Sequence, residues 1–165
     1  DDVGENYAQE AAAKLTEITT TPTVHFIGRL QRNKVRLLAP HVDVWQTVDR
    51  PELATEIAKR APGAKVMIQV DISGEENKGG CGPDTTEDLV MHATDAGLEV
   101  IGLMGVALLA EPQAARPGFA VLRRLVDRLD LDECSMGMSA DLEIAVDEGA
   151  TMVRIGRDLF GERLG

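Results

Sequence analysis

The chain has 165 residues, 44% apolar and 27% charged but only 3% aromatic, a composition ordinary for one globular domain with a sizeable core. Its net charge of −11 at neutral pH disfavours nucleic acid or an anionic membrane as partner, and any anionic ligand must be held by local groups against the overall field. Two cysteines, Cys81 and Cys134, are too few for a disulfide scaffold, so a reducing, cytoplasmic setting is expected. No signal peptide is visible, and the longest apolar run, over 101–110, is far too short to span a membrane.

Val3-Gly4-Glu5-Asn6-Tyr7 reads as a strand end, followed by an alanine-rich helix over 8–20. Residues 24–28 form a short strand, 33–38 a brief helix and 42–48 another strand. Asp49-Arg50-Pro51-Glu52 is a capping-box-like start to a helix with Leu53, Ala54, Ile57 and Ala58 on one face. Over 65–72, Val66, Ile68, Val70 and Ile72 alternate with Met67, Gln69 and Asp71, the period of a strand. A glycine-rich loop over 74–82 leads to a helix that begins at Thr85 and ends at Gly97. Residues 99–106 make a buried strand, 118–129 a strongly amphipathic helix and 134–138 a further strand.

The last thirty residues are the most informative. Ser139 is a good N-cap for a helix with Leu142, Ala145 and Val146 on one face and Gly149 as its left-handed stop. Residues 151–155 are a β-branched strand closed by Gly156. Alternation puts Val153 and Ile155 on one side and Met152 with Arg154 on the other. If Val153 and Ile155 pack under a helix, Arg154 points into whatever the sheet encloses. An unpaired guanidinium is costly there, so it meets either a core carboxylate or a ligand. In the second reading Arg154, Gly156 and Ser139 converge on that ligand.

Strand–helix alternation throughout signals a parallel sheet with helical crossovers. Seven strands can be counted, whereas an eight-stranded barrel normally takes at least about 200 residues. The chain is therefore either an open doubly wound sheet or a (β/α)8 TIM-type barrel without its first strand–helix unit. The closing unit favours the barrel, because loops after the last two strands of such barrels commonly bind phosphate. A single domain over 1–165, incomplete at its N-terminus, is expected.

Six blocks in fixed order carry a family resemblance: Gly4-Glu5-Asn6-Tyr7; His25-Phe26-Ile27-Gly28 running into Gln31-Arg32-Asn33-Lys34; Gly74-Glu75-Glu76-Asn77-Lys78-Gly79-Gly80; Gly102-Leu103-Met104-Gly105; Ser135-Met136-Gly137-Met138-Ser139-Ala140-Asp141-Leu142-Glu143; and Val153-Arg154-Ile155-Gly156. Together they resemble the pyridoxal-phosphate homeostasis proteins, barrels similar to the N-terminal domain of alanine racemase. The resemblance implies binding of pyridoxal 5'-phosphate and its buffering or delivery inside the cell, with no established turnover. It implies backbone N–H groups of Gly156 and Arg157 and the Ser139 hydroxyl on the phosphate, and Arg154 facing the pyridine nitrogen. Asn6 and His25 would line the ring and Met138 would pack on it, although His25 also reads as a hydrogen-bonded core histidine. Val24 stands where the family usually has tryptophan.

The family's Schiff-base lysine lies on a first strand upstream of the Gly-Glu-Asn-Tyr block, where this chain has Asp1, Asp2 and Val3. Lys14, Lys34, Lys59, Lys65 and Lys78 do not match that lysine's motif, and the role passes to none of them. These residues are expected to bind the phosphate end noncovalently and to give no borohydride-trappable adduct near the barrel mouth. Loss of an inner strand would leave two unpaired sheet edges, which favour association. The expected partners are the small-molecule cofactor and pyridoxal-phosphate-dependent apoenzymes, with the chain itself a monomer.

Other chemistries find little support. His25, His41 and His92 show no metal-ligand spacing, and no C-x-x-C occurs. There is neither a Walker loop nor G-x-G-x-x-G, and Asn77-Lys78-Gly79-Gly80-Cys81-Gly82 reads better as a connecting loop than as a phosphate cradle. Racemisation needs two bases on opposite faces of the substrate, yet Tyr7 is the one tyrosine. The alternatives left open are a pyridoxal-phosphate lyase or racemase on this scaffold, or a barrel for another phosphorylated metabolite.

Overall fold

A computed structural model describes residues 1–17, 19–74, 79–107 and 111–161. Its elements are β1 (Asp2–Glu5), α1 (Ala8–Leu15), β2 (Thr23–Phe26), α2 (Val35–Leu38), β3 (Val44–Val48), α3 (Pro51–Arg60), β4 (Lys65–Val70), α4 (Thr86–Asp95), β5 (Glu99–Gly105), α5 (Arg116–Arg128), β6 (Glu133–Met138), α6 (Leu142–Asp147), β7 (Met152–Arg154) and α7 (Arg157–Phe160). Short 3-10 turns at Arg32–Lys34, Pro83–Thr85 and Pro112–Ala115 lead into α2, α4 and α5.

All seven strands are parallel and lie side by side in chain order, β1 through β7. Side-chain bonds show that the sheet is curled. In a flat sheet β3 and β6 would be about 14 Å apart at the usual strand spacing. Instead the Ser135 hydroxyl of β6 donates to Gln46 Oε1 of β3 at 2.7 Å, and Gln46 Nε2 reaches Met152 Sδ of β7 at 3.0 Å. The result is a nearly closed barrel in which, among the described residues, β1 and β7 are each paired on one side only.

Both faces of the sheet are covered, so β3 is buried at every residue and β4 at all but Lys65. Phe26, Trp45, Ile68 and Leu103 face outward, where they join Leu53, Ile57, Phe119 and Leu122 of the surrounding helices. Burying each such side chain stabilises the fold by about 1.5–3 kcal/mol. Val44, Met67 and Met104 face inward and form a separate apolar plug, with Ile101 and Val106 packed against it. Among the described residues, no helix is long and apolar enough to cross a membrane.

The structure corrects several local expectations. Helix α1 stops at Leu15, because residues 16–20 offer three threonines and no apolar stripe. The capping box at Asp49 does not form, since that carboxylate binds the Arg50 guanidinium and α3 starts with Pro51 at its first position. Ser139 does not cap α6. Asp141 precedes that helix, and Val146, expected on its inner face, is 58% exposed beside buried Ile144 and Ala145. Residues 75–78, including Lys78, and 108–110 lie outside the described residues.

Candidate functional site

The C-terminal ends of β6 and β7 are offset by a bulge. Ser135 pairs with Met152, but Met138 pairs with Arg154, three residues on one strand against two on the other. Gly137 supplies the extra residue at φ +92°, and a Cβ there would stand 2.4 Å from the Ala145 Cβ. Bulge and close helix approach together require glycine at this position. Beyond it, Asp141 Oδ1 accepts the Met138 N–H at 2.6 Å and the Asp141 N–H returns to the Met138 carbonyl at 3.0 Å. The carboxylate therefore closes the strand-to-helix turn instead of capping α6, and the half-buried Ser139 hydroxyl makes no side-chain hydrogen bond among the described residues.

Gly156 lies two residues past Arg154 at the same end of the adjacent strand. Its carbonyl accepts from the N–H groups of Leu159 and Phe160, opening α7. Among the described residues, nothing lies within 4 Å of where a Gly156 Cβ would stand. Ser139 and Gly156 thus sit on neighbouring strand ends at one mouth of the barrel. Arg157 begins α7, and its side chain lies outside the described residues.

Arg154 points inward, as strand alternation implies. Its Nη1 donates to the Ser135 hydroxyl and its Nη2 to the Gly105 carbonyl, both at 2.8 Å. No carboxylate lies within ion-pair distance of it among the described residues, so the core salt bridge considered from the sequence is not formed. Burial pushes its guanidinium down to about 10, with the nearby Asp141 carboxylate opposing that shift. It remains cationic at neutral pH, and its hydrogen-bond acceptors among the described residues are both neutral.

Beneath Arg154 lies a polar layer. Gln46 Nε2 is 2.8 Å from His25 Nδ1 and 3.0 Å from Met152 Sδ, while its Oε1 receives the Ser135 hydroxyl. His25 is 5% exposed, and its Nε2 is 3.4 Å from Asp2 Oδ1 without a hydrogen bond. It meets Arg154 only through Gln46 and Ser135. Asp2 is held below the ordinary carboxylate range first by the Thr23 hydroxyl, with His25 contributing.

The remaining sequence candidates fall into place around this layer. Asn6 is exposed just beyond β1, its carbonyl packed on Gly28 beyond β2. Half-buried Met138 ends β6 beside Arg154 in the register of the sheet. Sequence reasoning passed over Gln46 and gave Ser135 no role. Yet two adjacent polar residues, Gln46 and Thr47, inside an otherwise apolar buried strand are a detectable signal. Of the described lysines, Lys14 is exposed on α1 against Glu5 and Glu10, Lys59 is exposed on α3, and Lys65 starts β4 at the opposite end of the barrel. Lys34 is half-buried in the turn before α2.

Comparison with known proteins agrees with this architecture. The family described as alanine racemase, N-terminal domain, matches residues 1–164. A pyridoxal phosphate homeostasis protein of Aquifex aeolicus is 43% identical over 97% of this chain and 76% of its own length. Its namesake in Pseudomonas aeruginosa is 42% identical over 98% and 74%. The solved structure of PipY from Synechococcus elongatus with pyridoxal phosphate bound superposes with a TM-score of 0.83 at 32% identity, covering 96% of this chain and 80% of that one. The chain belongs to the pyridoxal phosphate homeostasis protein family, built on the alanine racemase N-terminal domain.

Proposed function

We propose that the mouth formed by β6 and β7 binds pyridoxal 5'-phosphate and that the chain buffers or delivers this cofactor in the cytoplasm without turning over a substrate. The observation that carries the reading is the inward Arg154 cation, which has no carboxylate partner among the described residues. The donor set fits the group. Ser139 offers a hydroxyl that makes no side-chain bond among the described residues, and the N–H groups of Gly156 and Arg157 lie at a helix start, where intrahelical acceptors are lacking. Several N–H and O–H donors converging on a phosphate dianion make strong charge-assisted bonds, which this chain needs against its net charge of −11.

When bound, the cofactor supplies an electron-withdrawing pyridine ring whose strength as an electron sink depends on protonation of its ring nitrogen. Arg154 carries only donors, so facing that nitrogen it leaves the lone pair on the ring and keeps the sink weak. Met138 packs beside the ring and Asn6 stands across the mouth, with His25 supporting the floor from below. Catalysis of racemisation would require a second base opposite the first, and Tyr7, the one tyrosine, is 52% exposed outside the barrel. Delivery to pyridoxal-phosphate-dependent apoenzymes by a monomer completes the reading.

The test is titration of the chain with pyridoxal 5'-phosphate, followed by visible absorption and equilibrium dialysis, beside Arg154→Gln. Saturable binding that weakens at least about tenfold in the variant, with no turnover of amino acids, supports the reading. Equal binding by both proteins, or amino-acid turnover by the complex, overturns it. Borohydride treatment of the same mixture is expected to leave Lys34 unmodified, and a stoichiometric adduct there would refute noncovalent binding.

A further inference from the structure

The hydrogen bonds that leave Arg154 run in one direction. A guanidinium only donates, so the Ser135 oxygen is an acceptor towards Nη1 and its proton is free for Gln46 Oε1. That fixes the amide: Nε2 must face both Met152 Sδ and His25 Nδ1. A thioether cannot donate, so the flipped amide would set its oxygen against sulfur at 3.0 Å and leave the Ser135 proton without an acceptor. His25 Nδ1 must in turn carry a lone pair. Its proton is therefore on Nε2, turned towards Asp2 Oδ1.

We propose that Gln46 is the positioning residue of the site: through Ser135 it fixes the direction in which Arg154 presents its guanidinium, and by the same amide it sets the tautomer of His25. The inference rests on the reading of Arg154 as the cofactor's ring contact, although the orientation of Arg154 and His25 precedes any ligand. The Gln46 amide is engaged by His25, Met152 and Ser135. It acts by pinning the Ser135 hydroxyl, which lacks a fixed rotor position without an acceptor for its proton. The three bonds made by the one amide span β2, β3, β6 and β7, so the cation at the mouth and the histidine on the floor are held in a single donor order.

The experiment compares the chain with its Gln46→Glu, Gln46→Leu and Ser135→Ala variants, first without ligand. Nitrogen-15 correlation spectra of His25 should show the Nε2–H tautomer in the parent chain and Nδ1–H in Gln46→Glu, whose carboxylate can only accept. The two Arg154 Nη signals should be distinct in the parent chain and merge in Gln46→Leu and Ser135→Ala as rotation about Cζ–Nε is freed. Pyridoxal 5'-phosphate titration should then show about a tenfold loss of affinity in Gln46→Leu and Ser135→Ala. An Nδ1–H tautomer in the parent chain, or Arg154 signals indifferent to Gln46→Leu, overturns the proposal. If the parent chain fails to bind pyridoxal 5'-phosphate, the functional reading falls while the ligand-free spectra still decide the role of Gln46. Ser135→Ala replaces a buried hydroxyl by a smaller group and keeps the test alive if a Gln46 variant does not fold.

Discussion

The Asn6 carbonyl lies so close to the Cα of Gly28 that a Cβ at residue 28 would stand 1.8 Å from its oxygen and 2.8 Å from the Asn6 Cα. The two residues follow β1 and β2, whose pairing continues past the strands in the Ile27 N–H bond to the Glu5 carbonyl at 2.9 Å. This is backbone against backbone, so no rotamer change relieves it. Gly28→Ala is expected to destabilise the chain by about 2–4 kcal/mol and to displace Asn6 from the mouth. Denaturant melts decide it, and a loss below about 1 kcal/mol would show that the two loops separate at little cost.

The order of strands and helices was legible because each signal was local: alternation in 65–70, the glycine stops at Gly97 and Gly149, both at positive φ, and the inward side of Arg154 and Met152. The errors arose where a side chain bound something distant in sequence or on its other flank. Asp141 looks back to Met138, so its carboxylate closes the turn, and the Ser139 hydroxyl neither caps α6 nor makes a side-chain bond among the described residues. Asp49 turned to the Arg50 side chain in place of the helix start. Gln46 was invisible as a site residue because its partners Ser135 and Met152 are 89 and 106 residues away, and only closure of the sheet joins them.

Arg154 is expected to cost the ligand-free chain stability. Burial lowers its guanidinium from the ordinary arginine range to about 10, which corresponds to roughly 3 kcal/mol favouring the neutral form in the fold. Arg154→Met removes that cost but orphans the Gly105 carbonyl, a loss of about 1–3 kcal/mol. The two effects nearly offset, so the variant should melt no lower than the parent chain while binding pyridoxal 5'-phosphate poorly. A fall in melting temperature of more than about 5 °C would mean that the cation is structurally satisfied without a ligand.

Cys134 gives a pH dependence of known sign. Burial raises its thiol from 9.0 to about 11, so between those values the unfolded chain releases a proton that the folded chain keeps. Stability contributed by the neutral thiol is fully present below pH 9 and is lost as pH rises towards about 11, by up to roughly 3 kcal/mol. The difference between the stability curves of the parent chain and Cys134→Ala isolates this term from other groups. A difference that stays flat from pH 8 to 11 would show the folded thiolate to be solvated. Cys81, also raised by burial, should likewise react slowly with iodoacetamide at pH 7.5.

Asp141 performs two separable tasks. Its Oδ1 holds the Met138 N–H at 2.6 Å, and its charge is the carboxylate that supports the Arg154 cation without touching it. Asp141→Asn keeps an acceptor for the turn but removes the charge, whereas Asp141→Ala removes both. The alanine variant should lose about 1–2 kcal/mol of stability and loosen the Met138–Ser139 corner, lowering affinity for pyridoxal 5'-phosphate. The asparagine variant should lose less than the alanine variant, because its amide oxygen keeps the turn while only the charge that faces buried Arg154 is gone. Equal losses in the two variants would place the carboxylate's charge, and not its bond to Met138, at the origin of the corner's shape.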